Sequence, residues 1–310
     1  MTSLAEGRDG NRAVPAPTLV TGGLAVYARG TGEPALLVPQ PGGLTLGPPA
    51  SHPLVGVLAE LGRTVLTFDP PGSHRSTRQA RLGMPELMSC VQETLDASGV
   101  TRPVDVLGHG TGALGALAFA LAWPQRVRRL VLVGGVSGSS AFRRFHGMPY
   151  CWPVTSPDFW RFSWESRRLS HGRGDLAQHK RLLNLLLSHE YQDRSAAPPA
   201  PPVQAGDHQR PAPIRDRWPA SIRAVDFRAD LVRLFVPVLV CVGRNDPVTP
   251  VAAAGELTSL LPDASLVVFE RSGHCPFDEE PSAFQATLAA FLHHGEMFGG
   301  NGRPLSGWRG

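Results

Sequence analysis

The sequence predicts an α/β chain built on a mostly parallel sheet, and three observations predict it. Before residue 140, short Val- and Leu-rich runs of strand length alternate with helix-length segments. Between 141 and 230 that alternation stops, with no clear strand. After 230 it resumes in the same style, as expected of one sheet flanked by helices with a helical cap inserted into it.

Taken in order, residues 1–16 are polar and predicted to be disordered. Thr18 to Val20 and Leu24 to Tyr27, parted by Gly22-Gly23, read as a hairpin. Ala35 to Pro39 is the next strand, with Gln40-Pro41-Gly42-Gly43 as its exit turn, and Thr64 to Phe68 follows. Met84 to Ser98 can form a helix that leads into the strand Val104 to Leu107, and Val127 to Val133 is the strand after that. Val236 to Val242, Val251 to Leu261, Ala264 to Phe269 and Pro281 to His293 then restore the alternation. The expected organisation is a core of 17–140 and 231–295, a cap of 141–230 with a Pro-rich loop at 195–213, and a flexible Gly-rich tail at 296–310.

Composition narrows the function classes. With 42% apolar residues, 310 residues can bury a sizeable core. The net charge of +4 rests on scattered arginines, and Lys180 is the only lysine, so nucleic-acid binding is not expected. Cys90, Cys151, Cys241 and Cys275 lie far apart without metal-ligand spacing, and Cys241 reads as a buried inert thiol in a strand. No metal or cofactor is expected. The polar start lacks an apolar signal core and no run reaches membrane-spanning length, so a soluble cytoplasmic protein is expected.

The chain is organised around Val104-Asp105-Val106-Leu107-Gly108-His109-Gly110-Thr111-Gly112-Ala113: buried strand, tight glycine turn, packed helix. Glycine turns of this kind also cradle dinucleotide phosphates, but that fingerprint wants a carboxylate about twenty residues on, and Arg126 to Leu132 has none. Two further strand ends carry chemistry: Asp246 follows Val238 to Val242, and His274 follows Val267 to Phe269. A carboxylate can fix an imidazole's tautomer and offset its charge, and the imidazole can then move a proton near neutral pH.

An elbow followed by Asp and then His is the chain order of hydrolase triads. Gly243-Arg244-Asn245-Asp246-Pro247-Val248-Thr249-Pro250 and Ser272-Gly273-His274-Cys275-Pro276-Phe277-Asp278-Glu279-Glu280-Pro281 resemble the acid and histidine blocks of the α/β-hydrolase superfamily. Asp69-x-x-Gly72-Ser73-x-Arg75-Ser76 resembles a block of its proline iminopeptidase-like branch, with His74 in place of a glycine. The resemblance covers about 18–138 and 230–295. It implies the α/β-hydrolase fold and a G-x-S-x-G elbow at 108–112, in which Gly110 stands where the nucleophilic serine belongs. It also implies oxyanion donors at the Thr111 and Gln40 N–H groups, beside His109; a one-residue shift puts Pro41, which has no N–H, in the place of Gln40.

Three readings follow. The first is a non-hydrolytic enzyme using His274–Asp246 as a general acid/base pair without a nucleophile, for C–C bond formation, cyclisation or cleavage on an aromatic polyketide-type natural product. The second is a serine hydrolase of esterase or aminopeptidase type whose serine was changed to glycine. The third is a dead, ligand-binding pseudoenzyme. In each the partner is a small molecule, with no nucleic acid and no membrane. Phe142, Phe145, Tyr150, Trp152, Phe159, Trp160, Phe162 and Trp164 are candidates to line a pocket for a bulky aromatic one.

Overall fold

The computed structural model describes residues 16–40, 48–78, 83–141, 155–170, 176–198 and 224–294. The expected N-terminal and C-terminal tails, most of the Pro-rich loop, and Phe142, Phe145, Tyr150, Cys151 and Trp152 lie outside the described residues.

Eight strands form one sheet: β1 (Leu19–Thr21), β2 (Leu24–Arg29), β3 (Glu33–Val38), β4 (Arg63–Phe68), β5 (Val104–His109), β6 (Val127–Val133), β7 (Val238–Gly243) and β8 (Ala264–Phe269). Their spatial order is β1-β2-β4-β3-β5-β6-β7-β8. The first pair is antiparallel, β2 also runs antiparallel to β4, and every pair from β4 through β8 is parallel.

The helices are α1 (Pro53–Glu60), α2 (Met84–Ala97), α3 (Thr111–Ala122), α4 (Pro157–Ser170), α5 (Leu176–Glu190), α6 (Val251–Leu260), α7 (Pro276–Glu279) and α8 (Pro281–Ala289). Alternation along each strand sends successive side chains to opposite sheet faces. Leu36, Val38, Val104 and Val106 therefore meet Leu87, Val91, Leu114, Leu117 and Leu257 on the face covered by α2, α3 and α6. Ala35, Leu37 and Leu107 meet Leu54, Leu58, Phe284 and Leu288 on the face covered by α1 and α8. Burial on both faces is why these strands read as continuous apolar runs.

Asp105 is a polar exception inside β5. It is fully buried at the start of the strand, where Arg128 grips it with two bonds of 2.8 and 2.7 Å and Arg63 approaches to 3.4 Å. Cys90, Cys241 and Cys275 are buried free thiols, and burial pushes each thiol's pKa up. No described helix is long and apolar enough to cross a membrane.

The sheet's order fixes where a site can form. From β3 the chain steps outward to β4, then returns to lay β5 on the other side of β3. In open parallel sheets such a reversal leaves a crevice at the carboxyl strand ends. Between β6 and β7 the described residues hold α4 and α5, the stretch where the sequence calls for a cap.

Candidate active site

Strand register assembles the centre. Val38 pairs with Gly108, so Gln40, two residues on, stands beside Gly110. His109 pairs with Val133, which places Gly134 next to Gly110, and the Gly110 N–H donates to Val133 O at 2.9 Å. Gly243 pairs with Phe269, which brings the loops carrying Asp246 and His274 together.

The turn at Gly110 is sharp. Its backbone has φ 52° and ψ −117°, a region that residues with side chains enter only under strain. The flanking glycines are needed for another reason. A Cβ at Gly108 would stand 2.4 Å from Gly112 O, and one at Gly112 would stand 2.6 Å from Val38 O, so only glycine lets α3 start this close to the sheet. Thr111 is the first residue of α3, where an N–H has no intrahelical acceptor. The Gln40 nitrogen lies 3.4 Å from the Cβ position of Gly112, at the same helix start.

His274 and Asp246 are both buried, and His274 Nδ1 lies 2.8 Å from Asp246 Oδ2. The carboxylate is held on all sides. Oδ1 accepts the Val248 and Thr249 amides at 2.7 and 2.8 Å, and Oδ2 accepts the Thr249 hydroxyl at 2.7 Å. Since Asp246 offers only acceptors, Nδ1 of the imidazole carries the proton and Nε2 is left for chemistry. That Nε2 lies 3.0 Å from where a Cβ on Gly110 would be. Gly134 makes room for the ring: with φ 59°, its Cβ would stand 2.4 Å from His274 Cε1.

Burial by itself lowers the pKa of His274. The negative charge and hydrogen bond of Asp246, joined by Glu190 and Glu279, outweigh it and leave the imidazole's pKa raised. Glu190 ends α5, and its backbone carbonyl accepts the His274 N–H at 2.6 Å. Burial lifts its carboxyl to about 7, a shift that His274 opposes and Asp246 supports. The following residues tie α5 to the same loop. The Tyr191 hydroxyl donates to Asp278 at 2.7 Å, and the Gln192 N–H donates to Glu279 at 2.8 Å.

His109 lies under the centre, its ring centroid 4.6 Å from that of His274. Its Nε2 is 3.1 Å from the His274 carbonyl oxygen, which can only accept, so Nε2 carries the proton and Nδ1 is an acceptor. Two groups face that Nδ1: Gln40 Nε2 at 3.0 Å and His52 Nε2 at 3.3 Å. Burial holds the pKa of His52 down at about 3; burial, then the neighbouring His274 and His52, hold that of His109 well below the usual imidazole range. Burial thus favours the neutral form of both rings.

Gly110, Gln40, Thr111, His109, Asp246 and His274 thus come together. The aromatics are distributed differently. Phe159 and Phe162 pack on Leu182 and Leu186, whereas Trp160 and Trp164, one turn apart on α4, are each 64% exposed. Sequence reasoning missed Glu190, Thr249, Gly134, His52 and the Gln40 side chain. At His74 the backbone takes φ 45°, a conformation glycine adopts freely, at the position where the resemblance expects a glycine.

Comparison with known proteins agrees with this fold. A hydrolase of Pseudomonas putida for 2-hydroxy-6-oxononadienedioate and 2-hydroxy-6-oxononatrienedioate is 28% identical over 253 residues, covering 76% of this chain and 79% of that protein. The pimeloyl-[acyl-carrier protein] methyl ester esterase of Nitrosomonas europaea is 32% identical over 213 residues, covering 65% and 78%. An alpha/beta fold family hydrolase from Bacillus anthracis superposes with a TM-score of 0.66 at 18% identity, over 85% of this chain and 93% of that one. The alpha/beta hydrolase fold family matches residues 35–281. With its sheet order, its turn at Gly110 and that match in agreement, the chain belongs to the alpha/beta hydrolase fold family.

Proposed function

We propose that this chain is an acid/base enzyme on a hydrolase frame, acting without an acyl-enzyme intermediate. The observation that carries the reading is the aim of His274: Nδ1 bound to Asp246 at 2.8 Å, Nε2 turned to the bare backbone of Gly110. In a serine hydrolase that nitrogen takes a proton from the nucleophile. Here Gly110 offers no hydroxyl, and losing a triad nucleophile costs roughly 10⁶ in turnover. A buried histidine with a fully bonded carboxylate partner still moves protons to and from a substrate, which contributes about 10²–10⁴ in rate.

The substrate that suits this machinery has an acidic C–H or enol hydroxyl beside a carbonyl. His274 takes or returns the proton, and the Thr111 and Gln40 N–H groups at the start of α3 polarise the carbonyl. Formation, cyclisation or cleavage of a C–C bond falls within that chemistry. The name of the Pseudomonas putida relative's substrate, a hydroxyl and a ketone on an unsaturated dicarboxylate, supports a substrate of enol and ketone type. In this reading α4 and α5 belong to a cap over the strand ends.

The test is a kinetic comparison on a panel of enolisable 1,3- and 1,5-diketones and activated esters. The expected result is turnover of a diketone that His274→Ala lowers by at least ~10² while ligand affinity stays within a few-fold. Rapid ester turnover with a burst of acylated protein would overturn the reading, because it needs a nucleophile.

A further inference from the structure

The Gln40 carboxamide sits where a side chain at Gly110 would compete with it. Its Nε2 is 3.4 Å from the Gly110 Cβ position, and His274 Nε2 is 3.0 Å from the same point. Two side-chain nitrogens from different loops therefore flank the direction in which a serine would leave the backbone.

The orientation of the amide follows from the hydrogen bonds beneath it. His109 Nδ1 is an acceptor because its other nitrogen donates to the His274 carbonyl, so Gln40 presents its NH₂ group to the ring. His52 Nδ1 accepts the Leu54 N–H at 3.2 Å, so His52 Nε2 carries a proton and also points at His109 Nδ1. Two donors thus share one lone pair. If Gln40 turns an N–H toward a ligand, His52 keeps His109 satisfied, and no buried acceptor is left bare.

We infer that the point flanked by Gln40 and His274 beside Gly110 is an oxygen-binding subsite, with Gln40 Nε2–H and His274 Nε2 as its two ligand-facing groups. The inference rests on the proposed acid/base function. Gln40 is a fixed donor, whereas His274 Nε2 is a donor when protonated and an acceptor when not. An oxygen held between them always accepts from Gln40 and exchanges its proton with His274. The ligand class is therefore an ionisable oxygen: an enol or its enolate, or one oxygen of a carboxylate. The proton passes from the enol O–H to His274 Nε2, leaving the enolate oxygen bonded to Gln40 and to the new imidazolium N–H.

Acetate is a sufficient probe. Its dissociation constant is measured with the whole chain by calorimetry, and by the shift of the His274 ring signal in NMR. The expected result is saturable binding to wild type, weakened about 10- to 100-fold by Gln40→Ala, the size of a lost hydrogen bond to a charged group. Gly110→Ala should abolish it by placing a methyl group in the space. Equal affinity in wild type and Gln40→Ala, or no saturable binding to wild type, overturns the subsite. Because the alanine at a positive φ is strained, the Gln40 variant decides the matter if Gly110→Ala fails to fold. Gln40-dependent acetate binding without diketone turnover would keep the subsite and remove the acid/base function. His274-dependent turnover that is unchanged in kcat and KM by Gln40→Ala would do the reverse.

Discussion

Replacing Asp246 by asparagine exchanges one oxygen of the site for an NH₂ group, and the structure dictates how the new side chain must lie. Asp246 Oδ1 accepts two backbone amides, from Val248 and Thr249, at 2.7 and 2.8 Å. An asparagine keeps those bonds only if its oxygen stays there, so its NH₂ replaces Oδ2. That NH₂ then faces His274 Nδ1, 2.8 Å from the position of the former oxygen. Two donors cannot share the contact, so the imidazole moves its proton to Nε2, the nitrogen that should accept one. Losing Asp246 also removes the leading force that raises the imidazole's pKa and leaves burial, which lowers it, opposed only by Glu190 and Glu279. We expect kcat to fall by about 10²–10⁴ with KM changed only a few-fold. Nitrogen-15 NMR should report the tautomer exchange directly. A kcat within a few-fold of wild type, with the His274 tautomer reversed, would refute the reasoning that Nε2 is the working atom.

Further outcomes follow from close contacts and charge. Gly134→Ala should displace the His274 ring, since its Cβ would lie 2.4 Å from Cε1; activity should drop and stability fall by about 1–3 kcal/mol in chemical denaturation. Gly110→Ser should fold less stably at φ 52°, and should lose the native reaction because His274 Nε2 must retreat from the new Cβ; weak ester hydrolysis in a colorimetric assay is the gain to look for. Glu190 sets a stability slope. Its carboxyl titrates near 7 in the folded chain against an ordinary 4.5, so the folded state binds the extra proton and stability falls as pH rises between those values. Melting curves of Glu190→Gln should lack that decline and keep the one due to His274, whose raised pKa makes stability fall as pH climbs above 6.5.

Much of the fold was legible because strands buried on both faces announce themselves as unbroken Val and Leu runs. The turn at Gly110 was legible for a related reason: Gly108 and Gly112 are obligatory where α3 meets Val38, and such spacing survives in sequence. Asp246 and His274 each follow a strand by a few residues, so the sheet delivers both to one edge. What stayed hidden depends on register and strand order. The apolar runs alone do not say that β3 lies between β4 and β5, and the resemblance that brings the Gln40 N–H to the elbow does not say where its side chain stands. Helix α1 escaped notice because Pro53-Leu54-Val55-Gly56-Val57-Leu58 is short and carries a proline and a glycine. Glu190 reads as the solvated end of an amphipathic helix. The signal was its place: an acid in the last turn opposes the helix dipole, and here it faces the His274 loop.

The central claim is that His274 moves a proton on the substrate itself, and exchange of that proton with solvent tests it most directly. Enolisable diketones are incubated with the protein in D₂O, and loss of the carbon-bound proton signal is followed by NMR. The account predicts exchange above the buffer rate with wild type, reduced at least ~10² in His274→Ala, and no acylated protein by mass spectrometry after ester challenge. Exchange that persists in His274→Ala, or a stable acyl adduct on the wild-type chain, would contradict it.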